Sequence, residues 1–171
     1  MRIDFIREAA QVSSSIVSLS ETVFLSLYSI RPAIVPRGVG VTNASQDIQI
    51  DWYSSKSKAG ASISSLDKLD TLKGWQTVLD GTKAWVQYDN VDFGGDKLNS
   101  VDVRVLSKTG GTILVQLNNG KAPVIARVRI PIADKWKIVS SPISECQSGI
   151  HNQVVQLGDD RNVQIDRVSF R

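Results

Sequence analysis

The stretch that decides the fold class is Trp85-Val-Gln-Tyr-Asp-Asn-Val-Asp-Phe-Gly-Gly95. Its apolar residues Val86, Tyr88 and Val91 are typical of an extended, half-buried strand. The two glycines at its end allow a sharp exit, because a residue without a Cβ adopts the required backbone angles at little cost. We therefore interpret the later part of the chain as further strands that pack against this one.

Short runs of alternating apolar and polar residues recur after residue 47, at the spacing of about 8–12 residues that is typical of sandwiches and barrels. The predicted strands are Ile48–Tyr53, Trp75–Leu79, Lys83–Tyr88, Ser100–Leu106, Thr112–Leu117, Val124–Ile130, Trp136–Ser140, His151–Leu157 and Val163–Phe170. Asn119-Gly120 predicts a hairpin turn, because both residues tolerate positive φ. No long helical period separates the strands, so the pattern favours an all-β antiparallel sandwich over a parallel α/β sheet.

One stretch within this region fits two structures. Leu66, Leu69 and Leu72 are spaced by three residues between Ile63 and Leu72. That spacing is typical of a helical turn, but an ordered loop accounts for it equally well. The leucine spacing is therefore compatible with either structure.

The composition of the chain limits the classes of protein to which it can belong. The chain has 171 residues, of which 42% are apolar and 22% charged, so one domain with a packed core and a short extra piece is expected. The net charge of +3 is spread along the chain, which argues against a nucleic-acid surface. The single cysteine excludes an internal disulfide and a cysteine-rich zinc site. No apolar run is long enough to predict a membrane span.

The first part of the chain has a different character. Apolar residues at helical spacing predict a short amphipathic helix over residues 2–14, and alternation predicts a strand from Thr22. Proline and glycine then mark a boundary. We interpret residues 1–45 as an N-terminal extension or linker from a larger parent chain, and residues 46–171 as the β-sandwich module. Acidic residues near the start leave no clean signal peptide.

Six segments, taken in order, resemble the sequence pattern of carbohydrate-binding module family 6. They are Ile48-Gln-Ile-Asp-Trp-Tyr53, Trp85-Val-Gln-Tyr-Asp-Asn-Val-Asp-Phe-Gly94, Val103-Arg-Val-Leu-Ser107 with Gly110-Gly-Thr-Ile113, Lys135-Trp136, Gly149-Ile-His151 and Asp166-Arg-Val-Ser-Phe170. The second is close to the family's Trp-Val-Lys-Tyr-Lys-Asn-Val-Asp-Phe-Gly. No single segment is specific for the family. The occurrence of all six in the family's order, over roughly residues 46–171, is specific for it.

The resemblance implies a jelly-roll sandwich of the galactose-binding type that binds polysaccharide and is attached to a secreted glycoside hydrolase. A secreted, cell-surface or periplasmic location follows from the same resemblance. The family's cleft combines two aromatic rings with an amide, because a ring covers the apolar face of a sugar while the amide bonds its hydroxyls. Its tryptophan falls on Trp136, and its amide on Gln164, with Asn162 nearby. The second aromatic position holds Leu79, and Trp75 is the nearest aromatic candidate.

The family also carries a structural calcium ion between its opening and closing strands. The corresponding residues here are Gln49, Asp51 and Asp166. An amide in place of one carboxylate weakens such a site without abolishing it, because calcium accepts amide oxygens as ligands. The resemblance therefore leaves a retained calcium ion as an expectation.

Catalysis is a poor explanation of the same residues. His151, the only histidine, has no nucleophile near it in the sequence, so we predict a structural role. The acid pairs Asp89 with Asp92 and Asp159 with Asp160 could in principle serve a glycosidase, but their turn-rich surroundings favour solvated acids. Trp85 and Tyr88 are expected to pack in the sandwich.

A second function remains open beside sugar binding. Leu79 in place of the family's aromatic residue favours an interaction or adhesion domain that has lost its sugar cleft. The sequence predicts a binding module in either case, and neither fold nor motif selects the polysaccharide.

Overall fold

The computed structural model describes residues 40–95, 97–118, 122–144 and 148–171. The predicted N-terminal helix and the strand predicted from Thr22 lie outside these residues, as does the Asn119-Gly120 turn. Among the described residues, no helix is long and apolar enough to cross a membrane. The described ranges include nearly all of the predicted module, residues 46–171.

In the described part of the chain, the alternating runs form twelve strands, accompanied by one 3₁₀ turn. The strands are β1 (Thr42–Asn43), β2 (Ile48–Gln49), β3 (Ser55–Lys56), β4 (Ala61–Ser65), β5 (Trp75–Asp80), β6 (Trp85–Asp92), β7 (Ser100–Leu106), β8 (Gly111–Leu117), β9 (Val124–Ile130), β10 (Lys137–Pro142), β11 (Ile150–Leu157) and β12 (Asn162–Phe170), and the 3₁₀ turn is Thr71–Lys73. Their order confirms the predicted all-β class. The short β1 already belongs to a sheet, four residues before the predicted start of the module.

The strands form two sheets. The first, which we call the β6 sheet, has the order β1-β6-β11-β8-β9, with β3 also paired to β6. The second, the β12 sheet, has the order β10-β7-β12-β5-β4, with β2 also paired to β12. All pairings among the described strands are antiparallel except that of β1 with β6. This is the predicted antiparallel sandwich.

The core lies between the inward faces of the two sheets. Alternate residues of β6 and β12, such as Val86 and Ile165, are completely buried. Burying a side chain of this size stabilises the fold by about 1.5–3 kcal/mol. Tyr88 is buried as predicted and donates its hydroxyl proton to the Ile50 carbonyl over 2.5 Å. Trp85, one residue before Val86, is half-buried on the other side of β6.

β12 changes its pairing partner from β5 to β2 at a bulge. Ile165 pairs with β5, whereas Arg167 pairs with Gln49 of β2, and the register shifts between them. The extra residue in a bulge is left out of the ladder. Here that residue is Asp166, which is almost completely buried.

Each predicted strand after Tyr53 is present in the structure, but β6 continues to Asp92, four residues beyond the predicted Lys83–Tyr88. The predicted strand Ile48–Tyr53 is regular only over β2, because the Trp52 amide turns back to the Gln49 carbonyl at 3.0 Å. β4 was not predicted, since Ala61–Ser65 carries little apolar alternation. The ambiguous leucine stretch contains the end of β4, a loop and the short 3₁₀ turn.

Candidate functional site

Trp136 immediately precedes β10, on the outward face of the β12 sheet. Lys137 pairs with Val105, so continuing the antiparallel register by one residue places Trp136 opposite Leu106. Gln164 also pairs with Leu106, from the other side of β7. Residues directly opposite in a sheet point to the same face. Trp136 and Gln164 therefore share one face and stand about 10 Å apart, which is two strand spacings.

Asn162 lies on the same outward face of the β12 sheet as Trp136 and Gln164. It alternates along β12 with buried Val163 and Ile165, so its side chain points to the same face as that of Gln164. Asn162 is the first residue of β12, and its backbone carbonyl accepts a hydrogen bond from the Ser107 hydroxyl over 2.5 Å. Three of the four predicted sugar-binding residues are thus brought to one face of one sheet.

The structure does not bring Trp75 to Trp136. Trp75 alternates with Thr77 and Leu79, both completely buried, so it points to the opposite side of the β12 sheet. It also lies three residues along β5 from Val78, the partner of Gln164, which is about 10 Å. Trp75 is 40% exposed at the far end of the strand. Leu79 itself faces the core and supplies nothing to a cleft.

The indole of Trp136 stacks on a guanidinium group. The guanidinium carbon of Arg104 lies 5.0 Å from the centre of the ring, within the range of a cation–π contact. Trp136 is consequently half-buried, and Arg104 covers one of its two faces. Arg104 is held in turn by Asp166, whose Oδ2 accepts a hydrogen bond from Nη1 over 2.5 Å.

A shallow pocket opens on this same outward face, on the other side of Arg104. It is lined by Ile138 of β10, Asp102 and Arg104 of β7, Arg167, Ser169 and Arg171 from β12 and its end, and Asp47. Arg104 pairs with Ile138 of β10 on one side and with Arg167 of β12 on the other. These three side chains are therefore adjacent on the sheet. The outward face thus forms one continuous surface from Trp136 to Arg171.

Sequence reasoning missed these arginines. Arg104 and Arg167 stand two residues from Asp102 and Ser169, so each pair shares one face of its strand. The alternation of charged and buried residues was visible in the sequence, but such residues are usually solvated strand faces. Only the register of β10, β7 and β12 shows that they converge.

The proposed calcium ligands, Gln49, Asp51 and Asp166, lie near one another at the bulge of β12. Burial raises the pKa of the Asp51 carboxyl, and the negative charge of Asp166 raises it further, against the lowering effect of a backbone hydrogen bond. Gln49 is placed by its pairing with Arg167. Arg104 and Arg167 already approach Asp166, at 2.5 and 3.6 Å. The described residues contain no group of three acidic, histidine or cysteine side chains arranged for a metal. The donor set is therefore incomplete by itself.

Of the residues considered for catalysis, His151, Asp89 and Asp92 have structural partners, whereas Oδ1 of Asp159 is buried without a hydrogen-bond partner among the described residues. The two ring nitrogens of His151 lie 2.9 Å from the Ser148 carbonyl and 3.2 Å from the Asn118 amide oxygen. Asp89 accepts a hydrogen bond from the Gln87 side chain, and Asp92 accepts one from the backbone. These contacts agree with the structural interpretation.

Comparison by sequence finds no protein-family model and no curated protein that matches this chain. Solved structures do match. A family 6 carbohydrate-binding module of Clostridium stercorarium, in complex with cellobiose, has a TM-score of 0.68 and 25% identity over 77% of this chain and 97% of its own. A β-1,3-glucan-binding module of the same family from Bacillus halodurans has a TM-score of 0.67 and 22% identity, over 77% and 99%.

A glycoside hydrolase also matches in part. The family 43 arabinoxylan arabinofuranohydrolase of Bacillus subtilis, in complex with cellotetraose, has a TM-score of 0.67 and 16% identity over 77% of this chain and 28% of that enzyme. The matches confirm the sandwich fold and the similarity to family 6 modules. Two of these matching structures are binding modules, which supports the prediction that this domain is not itself an enzyme.

Proposed function

Since the described domain shares its fold with the carbohydrate-binding modules of family 6, we propose that it is a non-catalytic module that binds a polysaccharide. The observation that carries this proposal is the position of Trp136. Its indole stands on the same outward face as Gln164 and Asn162, next to a pocket rich in hydrogen-bonding groups. An aromatic surface beside amides matches the apolar face and the hydroxyl rim of a sugar.

The test is affinity electrophoresis of the purified protein through gels that contain soluble polysaccharides, with isothermal titration for those that retard it. We expect Trp136→Ala to weaken binding at least about tenfold, because the sugar loses its stacking surface. Trp75→Ala is the matched control, since Trp75 is a partly exposed tryptophan on the other side of the same sheet, and it should bind like the unchanged protein. Equal binding by Trp136→Ala would remove Trp136 from the site.

We also propose that a glycoside hydrolase domain accompanies this module in a secreted or surface-bound parent protein. The support is the match to one part of an arabinofuranohydrolase. Tethering raises the effective concentration of an enzyme near its polymer, so even weak sugar binding would contribute. Chromatography of the products that the full parent protein releases from polysaccharides tests this, and the absence of hydrolysis would contradict it.

A structural calcium ion is a further proposal, with Asp51, Asp166 and the Gln49 amide as protein ligands. Two neighbouring carboxylates whose charges repel would be relieved by a bound cation. We expect about 1 mM calcium, on the order of the affinity of extracellular sites, to raise the melting temperature above that in a chelator. Asp51→Asn should abolish this increase. Identical melting in calcium and chelator would show that Arg104 and Arg167 neutralise Asp166 without a metal.

A further inference from the structure

The strand β1 and the residues after it contain an acceptor for a covalent modification. Asn43-Ala44-Ser45 fits the pattern Asn-x-Ser/Thr, and none of the other asparagines in the chain has serine or threonine two residues after it. We infer that Asn43 receives an N-linked oligosaccharide when the chain passes through a secretory pathway that carries out this transfer. The natural modification depends on the proposed secreted location of the parent protein, whereas the acceptor itself is defined by the local geometry of β1.

The Asn43 side chain is oriented by the serine of the same tripeptide. Its amide oxygen, Oδ1, accepts a hydrogen bond from the Ser45 backbone N–H at 2.8 Å and another from the Ser45 hydroxyl at 2.6 Å. A backbone N–H can only donate, so the atom that it contacts must be the amide oxygen and not the nitrogen. Among the described residues, Nδ2 has no hydrogen-bond partner, and the side chain is exposed. The amide nitrogen is therefore accessible from solvent.

This nitrogen is the atom that the modification uses. In the transfer, Nδ2 forms a bond to C1 of the first sugar of an oligosaccharide that is carried on a lipid pyrophosphate. The C1–O bond to the pyrophosphate breaks, the lipid pyrophosphate leaves with the electron pair, and Nδ2 gives up one of its protons. Oδ1 forms no new bond in this exchange, so its hydrogen bonds to Ser45 persist in the product.

The folded domain accommodates a large group on Asn43. The next residue, Ala44, is completely buried, and its backbone bonds to Asp92 of β6 at 2.8 Å and to Phe170 of β12 at 2.9 Å. These bonds hold the tripeptide against both sheets. Asn43 and Ser45, on either side of Ala44, are both exposed. An oligosaccharide on Nδ2 thus extends into solvent without displacing the core.

The acceptor lies away from the face proposed to bind polysaccharide. Phe170, which donates to the Ala44 carbonyl, pairs with Val101 of β7. Val101 is about 17 Å along β7 from Leu106, the residue opposite Trp136. Among the described strands, β1 is an edge strand of the β6 sheet. A bulky hydrophilic group there opposes pairing of this edge with another chain.

The test is secretion of the full chain from a eukaryotic host behind a supplied leader peptide, followed by mass spectrometry. We expect the intact mass to exceed the mass of the sequence by an oligosaccharide. Peptide N-glycosidase should remove the excess and leave an aspartate at position 43. Chain retained in the secretory pathway is analysed in the same way, because the transfer precedes export. A chain from this pathway without an oligosaccharide on Asn43 would overturn the inference.

Single substitutions assign the oligosaccharide to the tripeptide. Asn43→Gln and Ser45→Ala should each abolish the mass increase, the first by removing the acceptor and the second by removing the hydroxyl. Ser45→Thr should retain it, because threonine supplies the same hydroxyl donor. Asn99→Gln is the matched control: Asn99 is also exposed, but Ser100 follows it directly, so this variant should keep the oligosaccharide. A mass increase that persists in Asn43→Gln or Ser45→Ala would contradict the assignment.

The result for Asn43 is independent of sugar binding by the module. No polysaccharide takes part in the mass measurement, so a failure of Trp136 to bind polysaccharide leaves the assignment of Asn43 unchanged. A secreted chain that lacks the oligosaccharide removes this assignment and leaves the proposed binding function unaffected.

Discussion

Among single residues, Arg104 connects three parts of the candidate site. It lies against the Trp136 ring, forms part of the pocket and pairs with buried Asp166. The family resemblance predicted Trp136 and the amides, but it carried no role for this arginine. The reason is that a guanidinium reaches across strands, and its partners are decided by the register. Sequence alternation shows only which face it occupies.

Asp51 provides a prediction about pH. Burial and the charge of Asp166 raise its pKa in the folded protein above the ordinary value of 3.8. The ionised form is therefore disfavoured in the folded state, and this cost is absent below the unfolded pKa and complete above the raised folded pKa. In a metal-free buffer at pH 7, we expect Asp51→Asn to increase the free energy of unfolding by about 1 kcal/mol or less, because the group is half exposed to solvent.

Urea denaturation at several pH values measures this difference. The advantage of Asp51→Asn should shrink as the pH falls through the folded pKa and vanish below about pH 3. A variant that is less stable than the parent at pH 7 without metal would contradict this account of Asp51. Adding calcium should reverse the order if the proposed metal site exists.

At the level of elements, the strands were predictable where one face is buried and the other is not. β7 alternates buried and half-buried residues along its whole length, and its predicted bounds are those of the structure. The short β1, β3 and β4 were missed because few of their residues face the core. The same alternation, followed through Thr77 and Leu79, already implies that Trp75 points away from the outward face.

The turn before β4 provides a second prediction. Gly60 has φ +78°, and a Cβ placed on it would lie 2.3 Å from the Asp80 backbone carbonyl oxygen and 2.9 Å from the Cβ of Ala84. We expect Gly60→Ala to destabilise the fold by more than about 2 kcal/mol, since backbone strain adds to a clash that no rotamer relieves. The readout is the midpoint of urea unfolding.

Gly40→Ala is the control for this substitution. Gly40 has nearly the same backbone angle, φ +82°, but its added Cβ would have no atom of the described residues within 4 Å. It should cost about 1 kcal/mol, which is the strain of the backbone angle alone. Similar losses for the two variants would show that the contact with Asp80 is unimportant.

For the whole molecule, composition and alternation predicted the sandwich, and the order of six segments predicted the family to which it is similar. The pocket could not be predicted, because β10, β7 and β12 are adjacent in space but not in sequence. Three of the four proposed sugar-binding residues meet on one face because two of them share β12 and Trp136 lies one strand beyond β7. Assembly of the sheet, rather than any local motif, creates the surface.

That assembly constrains how the domain folds. β12 is the last of the twelve described strands, yet it bonds to β7, β5 and β2 and so occupies the middle of its sheet. Without β12, no ladder among the described strands connects the pair of β10 and β7 to the pair of β4 and β5. Long-range pairing of this kind slows folding. The two halves of this sheet are therefore joined only when residues 162–170 pair, and the face that carries Trp136, Gln164 and Asn162 is complete only then.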